Sequence, residues 1–160
     1  MLKEYFYTFL WSITPLVELR ASIPLGYLNY GLSIYEATII SILGSIVTTS
    51  IVLFILPYIV EFLEKHSPFF DKIMKKIFEK TRTKHSKKMA IIGELFLIMF
   101  VAIPLPGSGG WTGVLIAYLF KIPYKTAIFL ISVGITLSGV IVALLTLFGK
   151  DMWDFFIATA

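Results

Sequence analysis

The chain has no cysteine among its 160 residues, which excludes a disulfide scaffold, a thiolate zinc site and a thiol nucleophile. It has two histidines, His66 and His85, both in one charged stretch. That is too few ligands for a histidine-built metal centre. Charge is scarce as well: Asp, Glu, Lys and Arg make up 15% of the chain, against roughly a quarter in an average soluble domain. The stretch Glu61–Lys88 holds 13 of the 24 charged residues, leaving 11 for the other 132. An ordinary cytosolic globule needs charge along every outer helix, so that class is excluded. What is abundant is apolar: 58% of residues are hydrophobic and the mean hydropathy is +0.87. This is the composition of an all-α integral membrane protein.

The net charge of +4 does not point to nucleic acid. The basic residues belong to one linker between apolar segments, where membrane topology puts them. The N-terminal run MLKEYFYTFLWSITP lacks a small-residue cleavage site and carries an early acidic residue, so it does not read as a removed signal peptide.

Two segments are long and apolar enough to span a bilayer, which takes about 20 residues. They are Ile34–Val60, with one early charge (Glu36) and one late proline (Pro57), and Pro123–Phe148, with only Lys125. Both carry small residues at close spacing: Ser41, Gly44, Ser45, Thr48 and Thr49, then Ser132, Gly134, Thr136, Ser138 and Gly139. Such residues let helix backbones approach closely inside bilayers.

The remaining apolar stretches are cut short. Tyr5–Ile13 runs into Thr14-Pro15, then Glu18, Arg20, Pro24, Gly26 and Gly31. Ile91–Ile103 contains Glu94 and runs into Pro-Leu-Pro-Gly-Ser-Gly-Gly, followed by the short run Thr112–Phe120. Such pieces cannot cross about 30 Å of hydrocarbon as single helices. Each stretch predicts a re-entrant helical hairpin, which needs protein or water around its broken backbone.

Ile23-Pro24-Leu25 recurs as Ile103-Pro104-Leu105, while Ala37, Gly44, Ile51 and Val52 match Ala127, Gly134, Ile141 and Val142 at a spacing of 90. One membrane domain of two inverted repeats is expected, each a hairpin plus a transmembrane helix, over 1–60 and 90–149. Residues 61–89 join them, and 150–160 form a tail. In the joining segment Phe69, Phe70, Ile73, Met74, Ile77 and Phe78 repeat at helical spacing opposite Lys72, Lys75, Lys76 and Lys80. This predicts an amphipathic helix on a lipid surface. Eleven of the 14 basic residues fall on the linker side, so a cytoplasmic linker with both termini outside is expected.

Inverted halves with broken helices are the plan of many secondary transporters, and an ionisable residue in a membrane segment marks a functional site by default. Glu18 and Arg20, between Pro15 and Pro24, are the first candidates. Glu18 suits proton exchange, and Arg20, always charged, suits a phosphate or carboxylate. A purely structural pair is the alternative. The second break, from Pro104 through Pro106, Gly107, Gly109, Gly110, Trp111 and Thr112, offers free backbone N–H groups ahead of a helix and predicts an anion-binding turn. Trp111 is alternatively an interfacial residue. Pro24 and Gly26 are the corresponding break and contact residues of the first hairpin, and Glu94 is ambiguous.

Glu18-Leu-Arg20 with Ile23-Pro24-x-Gly26, then Ile103-Pro104-Leu105-Pro106-Gly107-x-Gly109-x-Trp111-Thr112-Gly113, resembles the small multi-drug export proteins. These are short prokaryotic membrane proteins related to the DedA/VTT superfamily. The resemblance implies two opposed re-entrant hairpins bearing membrane-embedded charge. From the DedA relatives it implies proton-linked transport or flipping of phospholipid-type substrates, although the arginines those relatives carry near the second hairpin are missing here. The expectation is a multi-pass cell-membrane transporter or lipid flippase, with an uncoupled scramblase or membrane organiser as the alternative. Its expected partners are membrane lipids, a small-molecule or lipid substrate, a proton or other coupling ion, and a second copy in a homodimer. No enzyme activity, cofactor or metal is expected.

Overall fold

A large side chain on a bilayer-facing helix has no reason to hide from its surroundings, whereas a hydroxyl does. The computed structural model, which describes residues 2–15, 17–66, 87–105 and 108–158, is arranged on that principle. Ser41, Ser45, Thr48 and Thr49 are buried, while Ile39, Leu43, Val47, Ile51, Phe54 and Tyr58 on the same helix are exposed. Their spacing puts the large apolar residues on one outward stripe and the small polar residues on the inward face. A water-soluble helix shows the reverse.

Six helices are described. They are α1 (Leu2–Ile13), α2 (Glu18–Pro24), α3 (Ile34–His66), α4 (Lys87–Ala102), α5 (Gly110–Leu119) and α6 (Tyr124–Ala158). α2 continues through a π-helical turn, Leu25–Asn29. Among the described residues only α3 and α6 are long and apolar enough to cross a membrane. At 1.5 Å per residue, the 33 residues of α3 span about 50 Å, whereas the 12 residues of α1 reach about 18 Å. The order is the same in both halves: two short helices, then a long one. The helices overrun the sequence boundaries, α3 passing Val60 to His66 and α6 running through most of the segment read as a tail. The amphipathic pattern at 69–80 lies outside the described residues.

Several features recur at a spacing of 90. Gly31 and Lys121 both have left-handed backbone, with φ of 69° and 54°, just before α3 and α6 start. Ala37 and Ala127 are both fully buried. A Cβ at Gly44 would lie 1.9 Å from Ser12 Oγ and 3.1 Å from the Phe9 ring, so α3 meets α1 there. A Cβ at Gly134 would lie 2.7 Å from Val101 Cβ and 3.0 Å from the Ile98 carbonyl, so α6 meets α4 there. Each long helix thus receives the first short helix of its own half at a glycine, where backbones can come close.

Hydroxyls stitch the first half internally. Ser22 donates to Ser41 at 2.7 Å, and Ser45 to the Ser12 carbonyl at 3.2 Å. The start of α3 is a capping box: the Ser33 N–H and hydroxyl donate to Glu36 Oε2 at 2.9 and 2.7 Å, and the Glu36 N–H donates to Ser33 Oγ at 3.3 Å. Tyr5 of α1 donates to the other oxygen of Glu36 at 2.5 Å. In the core, Ile23, Leu97, Val101, Val114, Ile131 and Ile135 are buried.

Candidate functional site

The first-half reversal falls between α1 and α2 rather than at Pro24–Gly26. Pro24 lies inside α2 and Gly26 in the π turn that extends it, so Ile23-Pro24-Leu25 and Ile103-Pro104-Leu105 occupy different places in their halves. A proline ring removes one helical hydrogen bond, and the wider π turn takes up the disturbance. At the reversal the Glu18 N–H donates to the Thr14 carbonyl at 3.2 Å. Glu18 itself has φ of 43°, a left-handed backbone that costs a non-glycine residue about 1–3 kcal/mol. The bend aims its side chain out of the first half.

That side chain ends at the start of α5. Glu18 Oε2 accepts from the Gly110 N–H and Oε1 from the Trp111 N–H, both at 3.1 Å. Helix N-termini carry unpaired N–H groups and partial positive charge, and here two of those N–H groups are taken up by the chain's own Glu18 carboxyl. The turn is built for close approach. Gly109 has φ of 145°, and a Cβ there would meet Glu18 Oε2 at 2.6 Å; a Cβ at Gly110 would meet Thr49 at 2.3 Å. Glu18 is 8% exposed.

Arg20 reaches the same turn from the other side. Its Nη2 donates to the Ser108 carbonyl, and to Ser108 Oγ at 3.1 Å. Ser108 also closes the turn on itself, donating to the Ile103 carbonyl at 2.5 Å and accepting from the Leu105 N–H at 3.1 Å. Glu18 and Arg20 therefore grip neighbouring parts of one loop in the other half through their side chains.

Beyond Arg20 lies an open groove of about 670 Å³. Pro24 and Leu28 wall one side, Pro104 closes over it, and α6 contributes the face from Val142 to Gly149. Among the described residues Arg20 is its one charged lining residue.

The other candidates sort by place. Gly26 packs away from this groove, where a Cβ would meet Ala37 at 2.9 Å and Thr8 at 3.0 Å. Thr112 lies in the first turn of α5, and Glu94 half-buried on α4, outside the groove lining. Pro106 and Gly107 lie outside the described residues. The indole Nε1 of Trp111 is buried, with no hydrogen-bond partner among the described residues. Ser108 and Thr146 were not singled out by the sequence, and Thr49 was read only as a helix-packing residue. The available signal was the place of Ser108 inside the glycine-rich break, but a serine in such a loop is ordinary turn chemistry.

Small hydroxyls inside, large apolar side chains outside and two spanning helices define a membrane protein. The family model described as putative small multi-drug export protein matches residues 18–141, and the chain belongs to that family. No curated protein and no solved structure matches it.

Proposed function

We propose that the chain is a small secondary transporter that moves a small-molecule or lipid substrate with proton coupling, through a site between two re-entrant hairpins. The observation that carries this reading is the hold of Glu18, from the first half, on the Gly110 and Trp111 N–H groups of the second. A charged carboxylate makes strong hydrogen bonds to backbone N–H groups, and a protonated one makes weaker ones. Proton uptake at Glu18 loosens the contact between halves, and proton loss restores it. Arg20 keeps its charge throughout and is the substrate contact at the groove. Residues 104–112 form the moving partner of both.

The matched features at a spacing of 90 support two repeats, and short helices that cannot span support hairpins that enter and return. In this reading the repeats are inverted, as in many transporters and as the DedA/VTT resemblance implies. The basic linker is cytoplasmic, both termini are outside, and two chains pair in the membrane. The reading includes no enzymatic step, cofactor or metal.

The groove has an exposed apolar wall at Leu145, which favours a second reading, an uncoupled scramblase. Liposomes containing the purified protein, loaded with a panel of lipid and drug substrates and given a pH gradient, separate the two. Coupled transport predicts gradient-driven flux that Glu18→Gln abolishes. Flux indifferent to the gradient and to Glu18→Gln refutes coupling. Labelling of a cysteine at position 80 from outside intact cells refutes the orientation.

A further inference from the structure

We propose that the groove beside Arg20 binds a single-headed organic carboxylate carrying an apolar chain or ring. The inference rests on the assignment of Arg20 as the substrate contact and names the class of molecule it contacts. A guanidinium has five N–H donors; among the described residues the Arg20 side chain donates through Nη2, to Ser108. Arg20 also lines a groove whose walls, Pro24, Leu28, Pro104 and Leu145, are apolar. A planar fork of this kind pairs with a carboxylate through two parallel hydrogen bonds.

Charge balance narrows the class. Among the described residues Arg20 is the only charged group lining the groove, so it neutralises one negative charge. A phosphate monoester, at about −1.5 to −2, leaves surplus charge among apolar walls, where unpaired charge is costly. A cationic amphiphile meets a like charge and has no counter-charge in the lining. Size agrees: about 670 Å³ falls within the roughly 300–1,000 Å³ of small-molecule sites. Leu145, 61% exposed, lies at the open side, which lets the apolar portion enter from the bilayer. At the α6 end of the groove, a Cβ at Gly149 meets nothing within 4 Å.

That open position supplies the test. Gly149→Cys gives one thiol in a chain that has none, and maleimide modification is timed in nanodiscs of neutral phosphatidylcholine. Dodecanoate, dodecyl phosphate and dodecyltrimethylammonium are added in turn. At about ten times its dissociation constant, dodecanoate should slow modification about tenfold, with weaker protection by the phosphate and none by the cation. Arg20→Gln should remove the protection. Because that change also breaks the Ser108 contact, Leu145→Trp provides a second variant, filling the groove while leaving Arg20 and Ser108 in place, and it should remove protection too. Equal protection by all three amphiphiles, protection by the phosphate as strong as by dodecanoate, no protection by dodecanoate, or full protection surviving both variants would each overturn the proposal. No pH gradient is used, so the two readings fail separately. Protection without gradient-driven flux refutes coupling alone, and flux without protection refutes this site alone.

Discussion

Replacing Glu18 with alanine removes the acceptors of the buried Gly110 N–H and the part-buried Trp111 N–H. A buried donor left without a partner costs about 1–3 kcal/mol and a part-buried one less, so the pair amounts to about 2–4 kcal/mol. That is a large share of the roughly 5–15 kcal/mol that holds a typical domain folded. Glutamine is a milder change but not a neutral one. Each carboxylate oxygen accepts from a different N–H, and glutamine offers one oxygen and one NH₂, so one donor is left facing another at about 1–3 kcal/mol. Glycine loses both acceptors yet relieves the left-handed backbone at φ of 43°, and should recover about 1 kcal/mol relative to alanine. The expected order of stability is wild type, glutamine, glycine, alanine. Denaturant titration in detergent measures the order, and hydrogen exchange at the Gly110 and Trp111 amides locates the loss. Arg20 donates to Ser108 rather than to Glu18, but both side chains hold one loop and their charges attract, so the costs of Glu18→Ala and Arg20→Ala should sum to more than the cost of the double variant. Wild-type stability in Glu18→Ala with unchanged exchange at both amides would refute the account. Recovery of stability in the double variant would instead show a closed structural pair.

Gly44→Ala places a Cβ 1.9 Å from Ser12 Oγ and should destabilise the α1–α3 contact by about 1–3 kcal/mol, with partial recovery when Ser12→Ala is added; paired denaturation curves check both. Cysteines at Ile42 and Gly139 should form a disulfide between α3 and α6, because a Cβ at Gly139 lies 2.8 Å from the Ile42 side chain and short Cβ separations favour bridging. Failure of that pair to crosslink would refute the α3–α6 packing. Gly109→Ala adds a Cβ 2.6 Å from Glu18 Oε2 on a backbone with φ of 145°, and should raise exchange at Gly110 more than at amides inside α3. Tyr5→Phe removes the 2.5 Å bond to the half-buried Glu36 and should cost no more than about 1.5 kcal/mol.

The long helices were legible because hydropathy over 20 residues dominates every local signal. Their starts fall at Ile34 and Tyr124, within one residue of the sequence boundaries. Their ends were less legible, since charged residues such as Glu61 and Lys65 stop a hydrophobic run without stopping a helix. The inward face was read well at Ser41, Gly44, Ser45, Thr48 and Thr49, all buried; in α6 the same rule fails at Thr136, which is exposed. Glu18 and Arg20 stood out as charges in an apolar segment, and both do reach the glycine-rich break. That the break binds Glu18 itself was not legible. It depends on a left-handed residue in Pro-Leu-Val-Glu, where no glycine advertises the bend. Pro24 misled for the opposite reason: a proline reads as a break, yet here it sits inside a helix that widens into a π turn.

The contact between Glu18 and Gly110 also sets a timetable for synthesis. Gly110 follows Glu18 by 92 positions, and at about 5–20 residues per second the ribosome takes about 5–18 s to deliver it. For that whole interval the Glu18 carboxylate exists without its permanent donors, and for about the first half of it α3, which ends at His66, is itself still being made. Until the second half arrives, its oxygens have only water, lipid headgroups or the insertion machinery to accept from, so the contact between Glu18 and Gly110 marks the end of assembly rather than its beginning.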